Sequence, residues 1–352
     1  MRSFEVPPAA DAALAKAVAR RWNSLTKPPG SLGKLETAVE QLALAQGILT
    51  PSLGRRRLYV FCGDHGVTVE GVSAYPSAVT RQMVINFAAG GAAINVLCRQ
   101  FGIETVIVDA GVAGDPVPGA VCRKIGAGTR NFAVEAAMTR GEAERAIETG
   151  AELAAESGEA GGAVHGAGEM GIGNTTSASA LLCAFTGAKP EDAVGPGTGL
   201  APEGVARKAS IVARALELHQ PDAADPVGVL AQVGGYEIAM MTGFLLGSAE
   251  RRTPVMMDGF ISCAAALAAV RMAPEVSGYL LYSHQSAEPG HARLLQALGA
   301  EPLLHLDLRL GEGTGAALAI NLLESALALY NGMATFVEAA VSDASGNAME
   351  FS

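Results

Sequence analysis

The sequence predicts an α/β fold in which a parallel sheet is covered by helices on both faces, with a smaller satellite beside one large domain. Three observations carry this. From residue 57 onward, short β-rich apolar runs alternate with segments of helical periodicity, the pattern of a parallel sheet buried on both sides. A chain of 352 residues with 49% hydrophobic content can bury a core of that size. Finally, strand after strand ends in glycine beside a carboxylate, imidazole or hydroxyl: Cys62-Gly63-Asp64-His65-Gly66, Asp109-Ala110-Gly111, Asp258-Gly259 and Ser283-His284-Gln285-Ser286. In parallel sheets ligands bind outside the carboxyl ends of the strands, so these four loops are expected to converge on one site.

Leu14, Val18 and Trp22 recur at helical spacing within 9–25, and the pattern resumes over 32–44 after the turn at Lys27-Pro28-Pro29-Gly30. Strands are predicted at 58–62, 105–108, 254–257 and 279–282, with a fifth near 303–306. Helices are predicted over 77–87, 92–100, 140–156, 175–185, 203–216, 236–246, 261–270 and 316–329. Thr139 and Glu142 have the spacing of a capping box for the third of these. The stretch 150–173 is unusually rich in glycine and reads as a crowded backbone site.

Composition excludes several classes of function. With 25 basic against 35 acidic residues the formal charge is −10, and no basic run continues for any distance, which argues against nucleic acid as a partner. Arg55-Arg56-Arg57 reads as the solvated start of a strand. Five widely spaced cysteines, Cys62, Cys98, Cys122, Cys183 and Cys263, read as reduced core residues. The N-terminus lacks the apolar core of a signal peptide, and the long apolar stretches are interrupted by Arg271 and Glu324. The expectation is therefore a soluble, cytoplasmic protein with no membrane partner.

Gly171-Ile172-Gly173-Asn174-Thr175-Thr176-Ser177 runs directly into a helix, so glycines, backbone N–H groups, hydroxyls and a helix dipole coincide. That is a phosphate cradle in physical terms, and the absence of a P-loop lysine favours a monophosphate. Gly195-Pro196-Gly197-Thr198-Gly199 is a second glycine loop, with Lys208 the nearest cation to complete the site. Gly166-Ala167-Gly168-Glu169-Met170-Gly171 has the spacing of a dinucleotide fingerprint, but Ala163-Val164-His165 before it is a poor strand. Arg309-Leu310-Gly311-Glu312-Gly313-Thr314-Gly315 sets one carboxylate among glycines ahead of an apolar helix. Glycines permit close approach of a flat ligand, and a carboxylate in a partly apolar pocket gains a pKa suited to proton abstraction. Asp64, His65, Asp258, His284 and His291 show no metal-ligand spacing and no Gly-x-Ser-x-Gly elbow is present, so neither a metal nor a nucleophilic hydrolase is expected.

As a set these segments resemble the nicotinate-nucleotide–dimethylbenzimidazole phosphoribosyltransferase family. The set includes Leu25 to Gly33, Gly63 to Val67, Gly168 to Thr176, Gly195 to Gly199, Asp258-Gly259-Phe260, Ser283 to His291 and Leu310 to Gly315, in order along nearly the whole chain. The resemblance implies a Rossmann-like three-layer domain over 51–328 and a small helical domain from both chain ends, 1–50 and 329–352. It also implies a homodimer, in which N-terminal residues help close the partner's site. Small-molecule substrates, nicotinate mononucleotide and a benzimidazole base, would suffice without a cofactor. By the same matching Glu312 is the catalytic base and Glu169 a second acid near the reacting centre. Gly171, Gly173, Asn174, Thr175, Thr176, Gly197, Lys208 and Ser286 surround phosphate and ribose, and Tyr75, Ser77 and Gln82 face the base. Two rivals from other classes are a sensor that keeps the pocket without chemistry and a dinucleotide-dependent oxidoreductase.

Overall fold

The computed structural model describes residues 2–157 and 163–342. Six parallel strands form one sheet: β1 Arg56–Gly63, β2 Glu104–Gly111, β3 Val121–Cys122, β4 Val164–Met170, β5 Val255–Met257 and β6 Leu280–Tyr282. Their order is β3-β2-β1-β4-β5-β6. The chain builds outward from β1 in one direction, then returns to add β4 on the other side. This reversal between β1 and β4 opens a crevice at the carboxyl ends of the central strands, where a ligand is to be sought.

Strand periodicity sorts the core into two layers. In β1, Tyr59 and Phe61 face one apolar cluster while Leu58, Val60 and Cys62 face the other, and Val255, Met256 and Met257 of β5 alternate in the same way. Helices Arg140–Glu156, Asn174–Thr186, Tyr236–Glu250 and Phe260–Met272 cover the first face. Helices Ala12–Ser24, Lys34–Gln46, Ala93–Phe101 and Thr314–Gly332 cover the second. The chain ends meet there: Leu25 bridges to Thr335, Trp22 packs edge-on to Tyr330 at 4.9 Å, and their apolar side chains join the cluster under the sheet. Residues 343–352 of the expected C-terminal segment, and 158–162 within the glycine-rich stretch, lie outside the described residues.

Two strands escaped the sequence reading. β4 occupies the segment judged a poor strand, and its glycines explain both the misjudgement and the structure. A Cβ on Gly168 would land on the backbone of Glu312 and Gly313, so the strand is thin where another loop lies across it. Strand propensity is overridden by the need for close approach. The two-residue β3 is too short to show a pattern, and the fifth predicted strand is reduced to a single bridge between His284 and Leu304. Helices Pro190–Ala193, Pro226–Val233 and Pro289–Leu298 were also missed. Each begins with proline after a non-helical cap residue, a start signal that apolar periodicity does not carry.

Other details agree with expectation. Thr139 and Glu142 form the capping box, and Arg55 and Arg57 pair with Glu104 at the start of the sheet. Four of the five cysteines are buried, but Cys122 is exposed because β3 is an edge strand with one side open. Among the described residues no helix is long and apolar enough to cross a membrane.

Helices Arg140–Glu156 and Tyr236–Glu250 touch backbone to backbone. A Cβ on Gly243 would land on the Ile147 carbonyl, one on Gly150 on the Met240 carbonyl, and one on Gly247 would lie 2.8 Å from the Ala151 Cα. Gly243→Val is expected to lose about 1–3 kcal/mol or more in urea unfolding. Gly141→Ala, whose added carbon meets Arg145 only at 3.9 Å, should be neutral or gain up to about 1 kcal/mol. A Gly243→Val protein as stable as the parent would show that the helices are not in such contact.

Candidate active site

The site is built outward from a carboxylate that never faces solvent. Asp258, 1% exposed at the end of β5, accepts N–H groups from Gly313 at 3.1 Å, Gly315 at 2.8 Å and Ala316 at 3.1 Å. These are donors of the first turn of helix Thr314–Gly332, which otherwise lack partners within the helix. The loop before that helix is thereby pinned across β4. Its central residue, Glu312, adopts φ +65°, a left-handed conformation rare for a side chain with Cβ, and its N–H donates to the Glu169 carbonyl at 3.3 Å. The Glu312 carboxylate is directed to the start of helix Ala93–Phe101, where Oε2 accepts from the Ile94 N–H at 3.3 Å. Burial raises its pKa above the usual carboxylate range, the Ile94 hydrogen bond works against that rise, and the charge of Asp258 adds to it.

Glu169, at the end of β4, has a different environment. Its carboxyl is buried against Gly311 and accepts from the Asn174 amide, with no basic side chain among the groups that shift its pKa. Burial, then the charges of Asp258 and Glu237, push it up to about 8. At neutral pH this group holds a proton.

Asn174 opens helix Asn174–Thr186, and the next residue begins a second wall. Thr175 Oγ1 accepts from Lys208 Nζ at 2.6 Å. An ammonium offers only donors, so the threonine keeps its own hydrogen for another acceptor. Burial lowers Lys208 to about 8, and the Glu288 carboxylate opposes that fall. Glu288 in turn accepts from the Gly197 N–H at 3.0 Å, which ties the second glycine loop to the loop after β6.

Both walls border one cavity of about 440 Å³, within the range of small-molecule sites. Glu169, Gly171, Asn174, Thr175, Gly197, Ser286, Glu312 and Tyr75 all line it, so most of the residues singled out from sequence come together. Gly173, Thr176 and Lys208 do not line it: Gly173 caps the helix at φ +98°, Thr176 is fully buried, and Lys208 stands behind Thr175. Ser77 and Gln82 are exposed and outside the lining, where Val79 and Met83 follow Tyr75 at helical spacing instead.

Sequence reasoning assigned no role to Glu288 or Arg309, both of which line the cavity. Arg309 is three residues before Glu312, a cation beside a recognised motif, and that was the available signal. The four strand-end loops converge only in part. Asp258, His284 and Ser286 reach the cavity, whereas Asp64 accepts from the Ala113 N–H at 2.8 Å and Asp109 from that of Val112 at 2.9 Å. His65 pairs with the buried Glu237 at 2.6 Å. The ends of β1 and β2 spend their polar groups on bracing loops. Among the described residues no group of three or more His, Cys, Asp or Glu is placed to hold a metal ion.

A helix start facing a cavity, glycine loops around it, and two buried carboxyls in unlike environments give the cavity the features of an enzyme active site. A family model described as a phosphoribosyltransferase matches residues 7–341. The chain is 48% identical over 339 residues to the nicotinate-nucleotide–dimethylbenzimidazole phosphoribosyltransferase of Geobacter sp. strain M21, covering 96% of this chain and 97% of that one. The enzyme of the same name from Chlorobium chlorochromatii is 49% identical, covering 95% of each chain. The crystal structure of the namesake enzyme from Thermus thermophilus superposes with a TM-score of 0.89 at 46% identity, covering 95% of this chain and 100% of the other. The chain belongs to the nicotinate-nucleotide–dimethylbenzimidazole phosphoribosyltransferase family.

The raised Glu169 pKa has a stability consequence with a definite sign. The folded protein keeps a proton that the unfolded chain releases near the ordinary carboxylate range, so stability falls as pH climbs from there toward about 8. Glu169→Gln should remove that slope. Its thermal midpoint is expected to rise relative to the parent by an increment that grows between pH 5 and about pH 8 and then levels off. A constant difference across that window would show that the carboxyl is solvated.

Proposed function

We propose that this chain transfers the 5-phosphoribosyl group of nicotinate mononucleotide to 5,6-dimethylbenzimidazole or a related base, giving α-ribazole 5′-phosphate and nicotinate. It would do so as a cytoplasmic homodimer in the assembly of cobalamin's nucleotide loop. The observation that carries the reading is that the Glu312 carboxylate and the Asn174 helix start border one cavity. A base that gives up a proton and an anchored ribose phosphate would then be neighbours. Family membership supports the same substrates. For a homodimer, the exposed apolar side chains of Val69, Tyr75, Ile85 and Val96 offer surface that a second copy could cover.

Glu312 takes the N–H proton of the benzimidazole, which raises electron density on the opposite ring nitrogen. That nitrogen attacks C1′ from the face away from nicotinate, a new C–N bond forms, and the old one breaks with its electron pair passing to the pyridinium nitrogen. Attack from the opposite face inverts C1′, hence the α-riboside. Since the leaving group is already cationic, acid assistance is not required, and orientation is the larger contribution. Well-placed reactants reach effective molarities of about 10⁵ M or more, against about 10²–10⁴-fold for general-base catalysis. Gly171, Gly173, Asn174, Thr175, Thr176, Gly197, Lys208 and Ser286 would hold phosphate and ribose, directly or from behind, with Arg309 as an added cation. Tyr75, with Val79 and Met83, would flank the incoming base, whereas Ser77 and Gln82 would act only at its approach.

Glu312→Gln is expected to lose about 10²–10⁴-fold in turnover while still binding nucleotide. Product analysis by mass spectrometry, with competing bases offered together, reads this directly, and unchanged turnover removes Glu312 from the role. The acid limb of kcat/KM should lie above the ordinary carboxylate range, because the base must be ionised and its pKa is raised. A sensor without chemistry would release no nicotinate with or without base.

A pyridinium ring bound beside Glu169 would favour the ionised carboxylate. Nucleotide binding at pH 7 to 8 should therefore release protons, measured as a dependence of binding enthalpy on buffer ionisation enthalpy. The release should disappear in Glu169→Gln. Equal proton counts for the two proteins would place the cation elsewhere.

A further inference from the structure

We infer that His291 is a positioning residue for the wall proposed to hold the ribose phosphate: its imidazole fixes the main chain at Ser286, and through it Ser286 and Glu288, against the glycine loop at Gly197. This rests on the function proposed above. His291 is fully buried in the first turn of helix Pro289–Leu298. Its Nδ1 accepts the Ser286 N–H at 2.7 Å, so the ring proton must reside on Nε2, which faces Cys263 Sγ at 3.3 Å. From Ser286 the bonding continues along the cavity wall. Ser286 Oγ accepts the Glu288 N–H at 3.2 Å, and Glu288 Oε1 accepts the Gly197 N–H at 3.0 Å. Gly197 lies against Thr175 Oγ1 and Lys208 Nζ, as a carbon added there would sit 2.9 and 3.4 Å from them.

Two loops distant in sequence, the one after β6 and the one at Gly197, are therefore held in register by one string of bonds that begins at the imidazole, and Lys208 Nζ joins the second loop to the helix start by donating to the Gly195 carbonyl at 3.4 Å and to Thr175 Oγ1 at 2.6 Å. Ser286 Oγ has already accepted a hydrogen bond, which leaves its own hydrogen free to be donated, and Ser286 lines the cavity. A ligand oxygen is the natural acceptor. Burial and the nearby His284 push His291 down to about 3, so the ring stays a neutral acceptor of the Ser286 N–H at neutral pH.

The competing account is that His291 only fills the core. Two isosteres separate the accounts, because Asn can place Oδ1 where Nδ1 lies, while Gln reaches only the position of Nε2. Asn gives up the contact with Cys263 Sγ and Gln gives up the bond from the Ser286 N–H, so each loses one of the two ring contacts and both should lower the thermal midpoint. Binding of nicotinate mononucleotide, measured by calorimetry without turnover, should weaken at least about fivefold in His291→Gln, where the buried Ser286 N–H is stranded. It should return to within about twofold of the parent in His291→Asn, with kcat for either variant within about threefold. In a Ser286→Ala background the His291→Gln effect should shrink, as expected of residues acting through one another. Equal affinity in both variants, or losses that simply track their thermal midpoints, would overturn the positioning role. Failure of the function proposed above reads differently, as a parent protein that releases no nicotinate.

Discussion

The site depends on one buried carboxylate. Asp258 collects three N–H groups from the start of helix Thr314–Gly332, and this fixes a loop that would not otherwise take its shape. Holding Glu312 at φ +65° costs about 1–2 kcal/mol, because its Cβ crowds the following carbonyl. The three N–H groups from one helix start oppose the desolvation of the Asp258 carboxylate and hold the loop in that conformation. The strain sets the direction of the side chain. From this backbone the Glu312 carboxylate reaches the N-terminus of helix Ala93–Phe101, an electropositive place for a group that must ionise to act as a base. Gly168 completes the arrangement from below, since a side chain there would occupy the space of the loop.

The two glutamates show how environment divides labour between identical side chains. Glu312 has a helix terminus for support and a partly open pocket, so burial raises its pKa against a real opposition. Glu169 has only the Asn174 amide, and three buried acids, Asp258, Glu237 and Glu312, repel its charge. In the reaction proposed, Glu312 would accept the proton, while Glu169 would keep its own until a cation binds beside it. This is the pairing of unlike pKa values that assigns acid and base in other enzymes, here achieved by backbone donors and packing rather than by a metal or a lysine.

Much of this was legible in the sequence because the relevant signals are local. β1 and β2 announce themselves by apolar runs, and the helix from Arg140 to Glu156 by periodicity and a capping box. Glu312 and the Asn174 loop stand out because glycines flank polar groups at element boundaries. What could not be read was set by contacts between distant segments. β4 looks unlike a strand because Gly166 and Gly168 answer to Leu58 and to the Glu312 loop, which lie far off along the chain in opposite directions. Asp64 and His65 have the same local grammar as Asp258 and His284, yet their partners turn out to be Ala113 and Glu237, so they brace the fold. Ser77 and Gln82 fail for a simpler reason: they lie on the other side of a helix whose inward face is Val79 and Met83.

The charges around the cavity also form a pattern. Glu169, Asp258, Glu312 and Glu288 line the cavity together with Arg309 and the helix start at Asn174 and Thr175, with Asn174 bonded to Glu169 and the buried Lys208 behind Thr175. A ligand with a cationic ring and an anionic phosphate would find opposite charge for each, whereas a neutral or wholly anionic analogue would leave the carboxylates uncompensated. Lys208 contributes from behind Thr175 instead of entering the cavity. Placed there, its ammonium polarises the hydroxyl, and Glu288 keeps it charged despite burial. A lysine reaching freely into the cavity would be drawn to the nearby carboxylates and would neutralise the base. In the reaction proposed, anchoring it behind a threonine would separate the grip on phosphate from the chemistry at the ring nitrogen.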